Sequence, residues 1–499
     1  MDTTELIRNE LSSRNLTMLT DFYELTMANG YLEHGVGDKI AVFDMFFRTI
    51  PDGGGFALFA GLEQLIEYLK NLSFTEKDIE YLRSKHQFSE KFLDYLVNFK
   101  FECDVWSVKE GTPIFPNEPI IVIRGPIIQA QLIETMVLLT INHQSLVATK
   151  ANRIVRAAQN RSVFEFGSRR AQSYDAAILG ARAAYIGGCD ATACTISDRD
   201  YNIPAVGTMA HSWIQMFDSE YDAFKKYAEI YPENCTLLVD TYNVLSFGVP
   251  NAIKVFNEVL IPNGYKPKGI RLDSGDLAYL SKKARKMLDD AGFDYVKIVA
   301  SNSLDEVIIR DLLLQGAKID LFGVGENLIT SKSSPVFGGV YKLTAILEDG
   351  RYIPKIKVSE TIEKITNPDF KTFYRFYNKD THEAVADYVC LYDEEPDTSQ
   401  PVVIYDPVAT WKRKSLDNVY SKRMLVPIFE QGRCVYESPA LSEIKEYCRQ
   451  QVDSLWEEVK RFEHPHRYYV DLSDKLWEIK RDLLSNLNLK TYHNEENKK

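Results

Sequence analysis

Between about residues 145 and 340, short apolar runs alternate with polar loops and helical stretches. The runs are VFEFGSRR (163–170), AYIGGCDATA (184–193), AVGTMAHS (205–212), TLLVDTYN (236–243), GIRLDSGDL (269–277), VKIVASNSLDE (296–306) and IDLFGVGEN (319–327). LAYLSKKARKMLDDAG and SLDEVIIRDLLLQGA, between the later runs, carry helical periodicity. An apolar run, a polar end and a helix, repeated in units of roughly 25–35 residues, predict βα units on a parallel sheet. Seven such run ends predict a barrel more than an open sheet, with the polar ends on one rim.

The flanks have a different texture. SFTEKDIEYLRSK (73–85) reads as a helix capped by Ser73 or Thr75. EPIIVIRGPIIQAQLIETMVLL (118–139) begins as a strand, breaks at Gly125-Pro126 and continues as a helix. YKLTAILEDGRYIPKIKVS (341–359) predicts a hairpin turned at Asp349-Gly350. LSEIKEYCRQQVDSLWEEVKRF (441–462) predicts an amphipathic helix, and TYHNEENKK (491–499) a frayed polar tail. The expected organisation is an α+β domain over 1–140, an α/β-barrel-like domain with the active site over 141–345, and a strand-rich then helical region over 346–499 that packs on the other two.

Composition narrows the function classes. The 499 residues are 45% hydrophobic and 26% charged, a globular balance. A net charge of −12 without a basic stripe argues against a nucleic-acid scaffold. No apolar run approaches the roughly 18 residues that span a bilayer, and MDTTELIRNE does not read as a signal peptide. The seven cysteines are dispersed without a C-x-x-C pair, which points to reduced thiols in a cytoplasmic setting.

The polar ends of the runs carry the candidate chemistry: Arg169, Arg170, His211, Asp240, Arg271, Asp273, Asp276, Ser301, Asn302 and the glycines of Gly323-Val324-Gly325. Singly, each has a plain structural reading. The arginines can pair with surface acids, Asp273 and Asp276 can cap the next helix, and the glycines can serve a turn. Together they suit an anionic, phosphorylated substrate. Arginine forks grip carboxylates in pairs of hydrogen bonds. Gly-x-Gly before a helix brings backbone N–H groups to phosphate oxygens. Aspartates hold ribose hydroxyls or a magnesium bridging phosphates.

An ordered set of motifs then identifies a family. LTDFYELTM (19–27), FFRTIPDGGGFALFAGL (46–62), FGSRRAQ (166–172), GTMAHS (207–212), LLVDTYN (237–243), RLDSGDL (271–277), GGVYKL (338–343) and PKIKVSE (354–360) closely resemble nicotinate phosphoribosyltransferase. The resemblance implies a type II phosphoribosyltransferase barrel. It implies conversion of nicotinate and 5-phosphoribosyl 1-diphosphate to nicotinate mononucleotide and diphosphate, an entry to NAD by salvage. ATP would be a co-substrate, coupled through a phosphohistidine at His211, with Mg2+ near Asp240 and Asp273. The expected assembly is a homodimer with sites at the subunit interface, with no nucleic acid or membrane as partner.

By the same resemblance, Tyr23 stacks on the pyridine ring, Arg169 and Arg271 grip its carboxylate, and Thr208 lines that pocket. Asp240 and Asp273 hold ribose hydroxyls or act near the metal. Ser301, Asn302, Gly323 and Gly325 cradle the 5′-phosphate. Glu326 falls in that phosphate loop where a small hydroxyl residue is expected, so its carboxylate should point away. Ala193-Cys194 replaces an expected Ser-Asn. Rival readings are a nicotinamide or quinolinate phosphoribosyltransferase, a Schiff-base aldolase, for which no strand end offers an obvious lysine, and a non-catalytic protein that kept the fold.

Overall fold

The computed structural model describes residues 14–358, 364–407, 409 and 411–496, with backbone only for 487–496. It forms two units, Val147–Pro335 and a second built from Met1–Leu146 with Val336–Lys499.

Val147–Pro335 holds a curled six-stranded sheet in which every pairing is parallel. From edge to edge it runs Ala191–Thr192, Ser162–Glu165, Leu321–Val324, Lys297–Ala300, Gly269–Leu272 and Thr236–Leu238. Strands this short with Val, Ile, Leu and Phe on both faces suit a sheet covered by helices. The helices follow as expected, among them Tyr174–Ile186, Leu277–Asp290 and Glu306–Leu314. Val244–Asn263 is one helical run, long and apolar enough by length and composition to cross a bilayer. Its Val249, Ala252, Val255, Phe256 and Leu260 are fully buried in this unit.

The sheet is a half-barrel rather than a closed one. Six of the seven runs become strands. In AVGTMAHS only Ala205 pairs, through one parallel bridge to Thr192. The apolar start of AYIGGCDATA ends the helix Tyr174–Ile186 instead of opening a strand, which begins only at Ala191. Alanine-rich sequence there favours helix over strand.

Gly323 shows how tightly the strands are covered. A Cβ on it would sit 2.5 Å from the Phe166 ring. Gly323→Ala is expected to destabilise the protein by about 1–3 kcal/mol through overpacking, read as a fall in the denaturant midpoint at unchanged slope.

The second unit carries two larger sheets. In a seven-stranded antiparallel sheet, Ile40–Phe46 pairs with Val340–Glu348 on one side and Ile121–Pro126 on the other. A six-stranded mixed sheet contains Lys371–Asn378 and Ala384–Leu391. The regions expected as separate N- and C-terminal stretches thus contribute strands to the same sheet. The hairpin at Asp349-Gly350 forms, with Glu348 opposite Arg351. Thr75 caps Glu76–Ser84 in a reciprocal capping box with Asp78. The break at Gly125-Pro126 also forms, with strand to Pro126 and helix from Ile127. The helix expected over 441–462 is shorter, Leu441–Asp453. The tail continues the helix Asp474–Glu496, and its last three residues lie outside the described ones, as do MDTTELIRNE and Ser359-Glu360 of PKIKVSE.

Two buried cations in this unit are paired with buried carboxylates. Lys371 lies 2.9 Å from Asp44, and Arg375 forks onto Asp387 at 2.8 and 2.7 Å, with all four side chains almost fully enclosed. Glu24, fully buried, accepts from Thr20 and from Thr135 Oγ1 at 2.5 Å. Burial lifts its carboxyl to about 7 despite those bonds. A folded acid that holds its proton longer than the unfolded one loses stability as pH rises, here between about 4.5 and 7. Glu24→Gln should flatten that slope in denaturation curves taken across the window.

Candidate active site

The carboxyl ends of the parallel strands bring one network together. Gly269–Leu272 delivers Arg271, whose guanidinium donates to three oxygens. Nε reaches Ser301 Oγ at 2.8 Å, one terminal nitrogen reaches Thr208 Oγ1 at 3.2 Å, and the other reaches Asp273 Oδ1 at 2.8 Å. The Phe166 ring lies beneath, 5.7 Å from Arg271 Cζ. An arginine held by three partners and one ring is fixed in orientation before any ligand arrives.

Asp273 extends the network. It accepts from Ser301 as well as Arg271, and its backbone N–H donates to Asp240 Oδ2 at 3.1 Å. Burial works to raise the Asp273 carboxyl. The Ser301 hydrogen bond and the Arg271 charge outweigh it, and the net shift is downward. Asp273 is therefore a secure anion at neutral pH. Ser274 Oγ adds a 2.5 Å bond to Asp240 Oδ2. The other oxygen, Asp240 Oδ1, is buried without a hydrogen-bond partner.

His211 closes the group. It opens the short helix His211–Gln215, after the extended segment that bridges to the Ala191–Thr192 edge of the sheet. Its Nδ1 lies 3.0 Å from Thr241 Oγ1, just past the strand Thr236–Leu238 at the opposite edge. Its Nε2 is 4.0 Å from Asp273 Oδ2, and the side chain is 41% exposed. The histidine thus spans the seam where the half-barrel stays open, with one nitrogen anchored and the other near a carboxylate. A Cβ on Gly207 would meet nothing within 4 Å, so the backbone before His211 borders open space.

Other expected residues take separate positions. Arg169 is exposed on the turn Ser168–Arg170, outside the hydrogen bonds just described. Beneath that turn, the buried Glu165 carboxylate accepts from Gly167 N–H and, at 2.7 Å, from Thr192 Oγ1. Ser301 is buried and its hydroxyl is engaged with Arg271 and Asp273. Asn302 is exposed at φ 101°. Gly323 lies inside a strand, and Gly325 precedes the four-residue helix Glu326–Ile329. Glu326 is engaged by Lys332 at 2.9 Å, with Arg170 at 3.9 Å. Asp276 caps Leu277–Asp290 through Tyr279 N–H at 2.9 Å. Tyr23 belongs to the other unit and is 45% exposed, and burial together with the nearby Glu134 carboxylate pushes its phenol upward.

Two contributors were not singled out from sequence. Thr241 and Ser274 both lie inside motifs already quoted, LLVDTYN and RLDSGDL. Their neighbours Asp240 and Asp273 stand out in the sequence because a charge suggests chemistry. A hydroxyl next to a catalytic-type aspartate was the available signal.

The described residues contain no group of three or more His, Cys, Asp or Glu suited to a metal ion. The unpartnered Asp240 Oδ1 still fits a cation held by one or two carboxylates, since magnesium takes its other ligands from substrate phosphates and water.

The chain matches known proteins along most of its length. The family model for the nicotinate phosphoribosyltransferase (NAPRTase) family matches residues 162–375. Models for its N-terminal and C-terminal domains match 18–142 and 370–480. The nicotinate phosphoribosyltransferase of Bacillus subtilis is 46% identical over 466 residues, covering 93% of this chain and 94% of that one. The chain belongs to the nicotinate phosphoribosyltransferase family. Another family member, from Homo sapiens, is 29% identical over 517 residues. The crystal structure of human nicotinic acid phosphoribosyltransferase superposes with a TM-score of 0.81 at 27% identity, over 93% of this chain and all of that one. The nicotinate-nucleotide pyrophosphorylase of Pyrococcus furiosus shares the fold, with a TM-score of 0.67 at 24% identity over 88% of this chain.

Proposed function

We propose that this protein transfers phosphoribosyl from 5-phosphoribosyl 1-diphosphate to nicotinate and couples the transfer to ATP through a phosphohistidine at His211. The observation that carries the reading is the Arg271 guanidinium, fixed by Asp273, Ser301 and Thr208 beside His211. Family membership supports the substrate class.

The pyridine nitrogen of nicotinate has a free lone pair and needs no general base. The reaction needs aim and charge stabilisation as the ribosyl carbon loses diphosphate. Positioning alone supplies roughly 7–11 kcal/mol of such a barrier when the geometry is right. Arg271 and Arg169 take the nicotinate carboxylate, and Thr208 borders it. Tyr23 is assigned to the face of the ring. Asp240 and Asp273 hold ribose hydroxyls, and Asp240 would also hold Mg2+. When bound, that ion neutralises charge on the diphosphate. The backbone around Ser301, Asn302, Gly323 and Gly325 takes the 5′-phosphate, with the Glu326 carboxylate held aside by Lys332.

If Nδ1–H donates to Thr241, His211 Nε2 keeps the lone pair and is the nucleophile toward the ATP γ-phosphate. The new N–P bond forms as the bond to ADP breaks, and water later releases phosphate. The assembly is a homodimer with sites at the subunit interface, in the cytoplasm. Purified protein with nicotinate, 5-phosphoribosyl 1-diphosphate and Mg2+ should form nicotinate mononucleotide, more of it when ATP is added. Formation of no mononucleotide under either condition would sink the reading.

A further inference from the structure

The turn after the strand Lys297–Ala300 places two residues other than glycine in the left-handed region, Asn302 at φ 101° and Ser303 at φ 28°. A side chain makes that backbone costly, and it persists only where the surroundings over-determine it. Asn327 supplies one constraint. It is 9% exposed, and its Nδ2 donates to Ser303 O at 2.8 Å and to Leu304 O at 3.3 Å. Asp305 supplies a second by capping the helix Glu306–Leu314, accepting from the N–H groups of Val307 at 3.0 Å and Ile308 at 2.8 Å. Glu306 supplies a third. It is buried, and its carboxylate takes Lys150 Nζ at 2.7 Å and Arg153 Nε at 3.0 Å, both from the helix Glu134–Ala157. All of these residues lie within the unit Val147–Pro335.

Of the three constraints, the Asn327 contact joins the turn to the second loop that the proposed reaction assigns to the 5′-phosphate. Asn327 stands two residues past Gly325, on the short helix Glu326–Ile329. The chemistry of the contact is specific. Both acceptors are carbonyl oxygens, so the tie needs one atom that carries two hydrogens, and a side-chain amide nitrogen has them. Glu326, the preceding residue, is acceptor-only when ionised and is taken by Lys332 at 2.9 Å. A buried amide that holds two loops at a fixed spacing lowers the ordering cost for a ligand gripped by both.

We propose that Asn327 is a positioning residue for 5-phosphoribosyl 1-diphosphate. It clamps the Asn302–Ser303 turn to the Gly323–Gly325 loop, so that both stand ready for the 5′-phosphate before it arrives. Glu306, held by Lys150 and Arg153, anchors the far end of the turn. The identity of the ligand rests on the proposed transfer reaction. Asn327 lies outside the Arg271 guanidinium's bonds to Ser301, Thr208 and Asp273, so its loss should spare the nicotinate pocket.

The test is calorimetric titration of the full-length protein, in Mg2+, with 5-phosphoribosyl 1-diphosphate and with inorganic diphosphate, which lacks the 5′-phosphate. Asn327→Leu removes the donor at similar volume. Asn327→Asp keeps the shape and puts an acceptor in the donor's place, so one variant decides if the other fails to fold, with circular dichroism as the check. Each folded variant is expected to bind 5-phosphoribosyl 1-diphosphate about tenfold more weakly than the wild type and diphosphate equally well. KM for 5-phosphoribosyl 1-diphosphate should rise in step, with kcat and KM for nicotinate within about twofold. A residue that served stability alone would lower the denaturant midpoint and leave these affinities where they were. Unchanged affinity for 5-phosphoribosyl 1-diphosphate in the folded variants would overturn the proposal, as would an equal loss for diphosphate. A wild type that binds 5-phosphoribosyl 1-diphosphate but forms no nicotinate mononucleotide would sink the transfer reading, while the same affinities still decide the role of Asn327. No binding to the wild type would overturn both.

Discussion

Arg271→Lys is expected to lower kcat/KM for nicotinate by about 10²–10³-fold while the protein stays folded. Lysine keeps the charge beside Asp273 but is a single point donor. It cannot span Ser301, Thr208 and Asp273 at 2.8–3.2 Å and still present a fork to a carboxylate. Two lost bonds to a charged donor, discounted for partial replacement by the ammonium, cost about 3–4 kcal/mol, which is that fold-change. Because the guanidinium is fixed before substrate binds, the loss should divide between KM and kcat. Steady-state kinetics at saturating 5-phosphoribosyl 1-diphosphate measures both. A loss below about fivefold would mean that Arg271 is only a brace for Asp273.

His211→Ala should leave slow transfer without ATP but lower the ATP-dependent part of the rate at least about 10²-fold, a modest figure for removal of a covalent nucleophile. The side chain is 41% exposed and its hydrogen-bond partner is a single threonine, so alanine should not unfold the chain. Thr241→Val is the companion variant. It keeps the histidine but frees the ring, and should lower ATP stimulation less than His211→Ala does. Equal ATP stimulation in wild type and His211→Ala would remove the phosphohistidine from the account.

Much of this was readable locally. The parallel strand ends, the Thr75 cap and the Asp349-Gly350 turn depend on residues a few positions apart, and pattern captures such relations. The open seam of the half-barrel was not readable. AVGTMAHS has the apolar-then-polar form of the other runs, yet it pairs only at Ala205, because its small residues offer little to cover a sheet face. Pairing of Ile40–Phe46 with Val340–Glu348 joins strands about 300 residues apart, and nothing local signals it. Asp240, Asp273 and Arg271 were legible because charges at apolar run ends stand out. From sequence Ser301 reads as a phosphate ligand, and its bonds to Arg271 and Asp273 come only from the three-dimensional arrangement.

The most direct test of the central claim is a comparison of kcat/KM for nicotinate, nicotinamide and quinolinate, each with 5-phosphoribosyl 1-diphosphate, Mg2+ and ATP. A site built around a fixed guanidinium fork rewards one planar carboxylate. An analogue that leaves buried polar groups unpaired can be rejected by roughly 10⁴-fold. The account predicts nicotinate ahead of both rivals by at least about 10²-fold, with that margin collapsing in Arg271→Lys. Nicotinamide turned over as well as nicotinate, or a margin unchanged by the lysine, would contradict it.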